Sequence, residues 1–199
     1  MKKRFEILEG LPPYGPMYVS ITHTDSPFYS EGYVVRFFKD DGTDWVANFQ
    51  PGWTDFSGVY DYADTDAIIV IARGQGYVMN PNETKAKNIF GLTIKSLVVG
   101  NDKSLICAND TDIIIVNKTG EVWYTERISW DGIKDLKLEN EIVTGLSYDP
   151  INDNDSWVPF QINIQTREII GGSYRVYEKQ MTEQGKNQKP TDRPWWKFW

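Results

Sequence analysis

A chain of 199 residues with 40% apolar and 25% charged side chains has the make-up of one medium globular domain. The formal charge of -7 argues against a nucleic-acid binder, because a phosphate backbone needs a positive face. Cys107 is the only cysteine, so a disulfide framework is excluded, and its apolar setting in SLICAND makes it a small core residue.

The N-terminal MKKRFEILEGLPPYGP opens on charge with no apolar stretch behind it, which predicts no signal peptide. No apolar run approaches the ~18–20 residues that span a bilayer. A reducing, cytoplasmic setting is expected. LPPYGP (11–16) is a stiff extended entry loop that could cover an exposed sheet edge.

Beyond it the apolar residues come in short runs rich in Val, Ile, Tyr, Phe and Trp, with Gly, Asn and Asp between them. That is the pattern of strands and turns. In chain order the predicted strands are 17–22, 32–38, 43–49, 67–72, 76–80, 96–100, 104–109, 112–117, 121–128, 134–140, 142–149, 157–164 and 168–177. The one weak helical stretch, NETKAKNIF (82–90), lacks an apolar stripe and reads equally well as a turn.

The turns recur. They fall at Asp40 to Gly42, Asn80 to Thr84, Asn117 to Gly120 and Asn163 to Arg167, at intervals of 40, 37 and 46 residues. Asn and Gly suit such turns because they tolerate positive φ and Asn bonds its own downstream backbone. A period of this size means a repeated supersecondary unit. The fold class expected is therefore all-β and antiparallel, with about four repeated sheets in a propeller-like arrangement, the alternative being a β-sandwich.

The stretch IIIVNKTGEVWYT resembles the strand, turn and strand of a quinoprotein-type propeller blade. Asn117 stands where that pattern has Asp, and Trp123 falls one residue short of its spacing. The resemblance implies shape, and nothing in it suggests the quinone cofactor. WYTERISWDGIKDLKLENEIVTGLSYDP with WVPFQINIQTREIIGGSY, within about 64–175, is similar to an uncharacterised bacterial family with blade-like β repeats. That likeness implies a bacterial source and a blade-like fold and brings no activity.

Catalytic motifs are missing. His23 is the only histidine; beside Asp25 it could act as a general base, but a turn histidine is the simpler reading. A Cys107–His23 pair is disfavoured. Asp40–Asp41, Asp64–Asp66, Asp110–Asp112 and Asp153–Asp155 are acidic pairs; the last resembles part of a calcium loop but lacks its Gly and its Glu. GQGY (74–77) opens a strand and not a helix, so it is a turn and not a phosphate cradle. Trp130 and Asp131 in ISWDGI read as a blade-core side chain and a turn cap. No catalytic residue, metal site or cofactor is assigned.

The expected organisation is an all-β domain over 1–180, a flexible linker over 181–194 and an aromatic motif over 195–199. The linker, rich in Gln, Lys, Gly and Pro, has no strand-forming run. The motif holds Trp195, Trp196, Phe198 and Trp199. Residues 181–199 carry +2 and residues 1–180 carry -9. The four aromatics are the expected partner-binding residues, docking on the chain's own domain, on a second copy or in a pocket of another protein. Membrane contact is disfavoured, since one five-residue patch is a weak anchor. The functional expectation is a protein-binding module and not an enzyme, in one version an immunity or inhibitor-type protein for a basic partner. The alternatives are a carboxylate-dependent hydrolase in a propeller-like cleft and a structural or assembly subunit.

Overall fold

The computed structural model describes residues 3–15, 17–24, 30–62, 64–151, 156–175 and 177. They form sixteen strands in four sheets of four. The first sheet contains β1 (Phe5–Leu8), β2 (Val19–Ile21), β3 (Tyr33–Phe38) and β4 (Asp44–Phe49), in the order β1-β3-β4-β2. Strand β2 joins it parallel to β4. The other three sheets are antiparallel meanders. The second contains β5 (Gly58–Asp61), β6 (Ile68–Ala72), β7 (Gln75–Met79) and β8 (Asn88–Gly91). The third contains β9 (Ser96–Val99), β10 (Leu105–Ala108), β11 (Ile113–Val116) and β12 (Val122–Tyr124). The fourth contains β13 (Ile133–Glu139), β14 (Ile142–Asp149), β15 (Ser156–Asn163) and β16 (Ile169–Gly171).

The sheets pack face to face in chain order. Strand alternation gives each middle sheet two apolar faces, so IIVIA of β6 is wholly buried. Val70 and Tyr77 meet Val35, Phe37 and Phe49 of the first sheet. Ile69, Ile71 and Val78 point the other way and meet Leu105, Cys107 and Ile114 of the third. Ile106 and Ile113 meet Val143, Phe160 and Ile162 of the fourth. The expected all-β fold of four repeated, propeller-like sheets is thus observed, with four sheets where a sandwich has two. Among the described residues no buried apolar cluster joins the fourth sheet to the first.

The repeating Asn turns are structurally equivalent in three sheets, where each joins the third strand to the fourth. The side-chain oxygens of Asn80, Asn117 and Asn163 accept from the amides of Asn82, Thr119 and Gln165 at 2.9, 3.0 and 2.9 Å. The Asp40–Gly42 turn differs: it joins β3 to β4, and Asp40 N donates to Asn82 Oδ1.

Other expectations are corrected. Strands β1 and β5 lie in segments with no predicted strand, and β8 takes the end of the weak helical stretch; all three are short edge strands with partly exposed side chains. The strand expected over 121–128 stops at Tyr124, because Thr125 turns to bond Ile113 through its amide and its hydroxyl. The strand expected over 168–177 stops at Gly171, where Gly171 and Gly172 take φ of 78° and 88°, and Ser173–Arg175 turn helical. Trp130 is not in a blade core. It lies half-buried in a loop, 4.8 Å from the Tyr174 ring.

Candidate functional site

A cleft of about 490 Å³ opens where the first three sheets adjoin. Its key element is the connection from β4 to β5, which passes over the tight β6–β7 turn. Successive amides of this connection are spent on fixed backbone acceptors. Gly52 N donates to Ala72 O at 2.9 Å, Trp53 N to Leu92 O at 3.0 Å and Thr54 N to Arg73 O at 2.9 Å. The Thr54 hydroxyl donates to Ile94 O at 2.7 Å, and Gly74 N donates to Phe56 O at 2.9 Å. The approach is close enough that a Cβ on Gly52 would collide with the Leu92 carbonyl. Local hydrogen bonding thus fixes the backbone, while the Trp53 side chain projects outward, 78% exposed.

Tyr124 forms another part of the wall, 44% exposed, its hydroxyl accepting from Gly91 N at 3.2 Å. Burial of the ring pushes the Tyr124 phenol up from its ordinary value. Buried Gln75 lies at the floor and donates from Nε2 to Phe90 O and Gly91 O, both at 2.8 Å. Gln50 is held by the Tyr77 hydroxyl, which donates to its carbonyl at 2.7 Å. The cleft's amides therefore hold its walls together. Among the described residues its lining contains no carboxylate. Outside it, Asp55 is 99% exposed and pairs with Arg73 at 3.1 Å.

His23, exposed on the rim, has Nδ1 3.2 Å from Gln50 Oε1. Asp25 lies outside the described residues. Cys107 is fully buried between the second and third sheets, and burial pushes its thiol up to about 12, so it is an inert core residue and not a nucleophile beside surface His23. The acidic pairs are used locally. Asp41 Oδ1 accepts from the amide and hydroxyl of Thr43 at 2.8 and 2.6 Å. Asp64 pairs with Lys118 at 3.1 Å, and Asp110 with Lys95. Asp112 accepts from Asn109 at 3.0 Å, and its burial holds its carboxyl above the ordinary range. Asp153 and Asp155 lie outside the described residues, as do Trp195, Trp196, Phe198 and Trp199. Among the described residues no group of three or more His, Cys, Asp or Glu side chains is placed to hold a metal, and no helix is long and apolar enough to cross a membrane.

Trp53 was missed in the sequence because QPGWTDFSG reads as an unremarkable turn. The available signal was Trp in a Gly- and Asp-bearing connection, where large aromatics have no core to fill. A scan against family models finds no match to this chain, and a search of curated proteins finds none either.

Proposed function

We propose that this protein is a non-enzymatic binding module that takes a partner protein through the Trp53–Tyr124 cleft. The observation that carries the reading is a Trp side chain 78% exposed on a backbone held by consecutive hydrogen bonds. Exposing that much apolar surface is unfavourable for the free protein, whereas a rigid aromatic loses little conformational entropy on binding. Trp and Tyr are the residues that most often anchor protein interfaces.

The partner's chemistry follows from charge. Residues 1–180 carry -9, and Asp55 stands two positions from Trp53. A Lys or Arg side chain placed over the indole gains a cation–π contact and lies within reach of that carboxylate. This fits an inhibitor or immunity-type role against a basic protein in a bacterial, cytoplasmic setting. The resemblances to a bacterial family and to quinoprotein blades contribute shape to this reading and no chemistry.

The test uses the full chain and Trp53→Ala as baits in lysate from the source cell, at low and high salt. The expected result is a basic protein retained by the wild type and lost both with Trp53→Ala and at high salt. Equal retention by the two chains, or capture indifferent to salt, overturns the reading.

A further inference from the structure

Four sheets in series leave two outer faces, and their surroundings differ. On the first sheet the outer row includes Val34 and Asn48, 2% and 0% exposed. Segments 9–11 and 30–32 lie over it: Asn48 Nδ2 donates to Ser30 O at 2.9 Å, its Oδ1 accepts from Gly32 N at 2.8 Å, and Leu11 N donates to Glu31 at 3.0 Å. The fourth sheet has no such cover among its described residues. Its outer row places Leu146 opposite Pro159, Tyr148 opposite Trp157 and Gln161 opposite Ile170. Pro159 is exposed, and Ile170 is 59% exposed. A bulge between Lys134 and Lys137 opens a hollow of about 470 Å³ in this face.

We propose that residues 195–199 of this same chain seat on that face, with Trp195, Trp196, Phe198 and Trp199 over the hollow between Leu146, Pro159 and Ile170. The argument rests on where the described chain stops and how much chain follows. Tyr177 packs on Trp130 with ring centroids 5.3 Å apart. Trp130 belongs to the loop that leads into β13, whose Gly132 carbonyl accepts from Tyr148 N at 3.0 Å. Ser173 Oγ donates to Tyr148 O at 2.6 Å, so the described chain ends at the Tyr148 end of the fourth sheet. Seventeen residues, 178–194, lie between Tyr177 and Trp195, and a random coil of that length has a root-mean-square span of roughly 20–25 Å. The eight-residue strands β14 and β15 are themselves about 26 Å long. The tether thus matches the face, and tethering raises the local concentration of the peptide to the order of millimolar. Chemistry agrees. The peptide is aromatic and carries Lys197; the face sets Leu146, Pro159, Ile170 and a Tyr148–Trp157 pair at 5.4 Å among Lys134, Lys137 and Gln161, with Lys134 Nζ 3.8 Å over the Trp157 ring, and Asp135 lines the hollow.

The inference is independent of the Trp53 cleft and is tested by nuclear magnetic resonance on the full chain. A nitroxide placed at Glu139→Cys, one row beyond the hollow, labels a single site because Cys107 is fully buried. The expected result is loss of the indole N–H signals of Trp195, Trp196 and Trp199 in dilute labelled protein, and their return when Ile170→Asp is added. Signals unchanged by the label overturn the proposal. Signals lost only when labelled and isotope-bearing chains are mixed also overturn it, and give the face to a second copy.

Discussion

The first and fourth sheets are both four-stranded and both pack one face on a neighbour, yet among the described residues only the first sheet has chain lying over its other face. The difference lies in the connections. Around the first sheet the chain spends residues 9–18 and 22–32 on long crossovers, and these bring Ser30, Glu31 and Gly32 across Val34 and Asn48. Of the fourth sheet's connections, Asn140 and Glu141 alone join β13 to β14 and Ile164–Glu168 link β15 to β16, and each of these two is too short to return over a face. Alternation decides which side chains share a face; loop length decides whether that face is covered.

The comparison is sharpened first at the inner faces, where the two ends are alike. Phe160 is 1% exposed in the cluster that fastens the fourth sheet to the third. Phe160→Ala is expected to cost about 3–5 kcal/mol by the usual loss for a large buried ring. Urea denaturation checks it, and a much smaller loss means that the fourth sheet is only loosely coupled to the stack. Next comes the cover of the first sheet. Asn48→Ala strips two backbone groups, Gly32 N and Ser30 O, of their partner in a site 0% exposed. The expected loss is about 2–4 kcal/mol, read from the denaturation midpoint, because each buried group left unpaired costs about 1–3 kcal/mol. If the loss stays below about 1 kcal/mol, the crossovers do not seal the face and the contrast between the ends fails. Smaller still is the effect at the cleft. Trp53→Ala removes a side chain already 78% in water and is expected to change stability by no more than about 0.5 kcal/mol in thermal melts, so that any loss of binding is a loss of the anchor.

Most of the fold was legible, because it rests on two local signals. Runs such as AIIVIA and DIIIVN can satisfy themselves only as buried strands, and Asn80, Asn117 and Asn163 mark turns through a side chain that bonds two residues ahead. What escaped depends on partners far along the chain. FEIL is a strand because Val34–Phe37 pair with it, and NIFG because Gln75–Val78 do. The shortness of β12 comes from Thr125 bonding Ile113 and not from any breaker in its own sequence. The cleft was illegible for the same reason: Trp53, Tyr124 and Gln75 come from three separate stretches, and only the packing of three sheets brings them together.

The finest prediction asks whether the outer face of the fourth sheet is bare in solution. Ile170 is 59% exposed, so Ile170→Asp by itself is expected to cost about 0.5 kcal/mol or less. That figure holds for a chain in which Trp195, Trp196, Phe198 and Trp199 are all changed to Ala. With the native aromatics in place, the same substitution also unseats whatever they cover, and the loss should be larger by about 1 kcal/mol, the scale of coupling between residues in contact. The cycle isolates this difference, since any intrinsic effect of Asp on strand β16 is common to both backgrounds and cancels. A coupling indistinguishable from zero leaves the face uncovered and the two ends of the stack unequal in fact. A coupling near the expected size means that both ends are covered, one by crossovers within the sheet and the other by a tethered peptide.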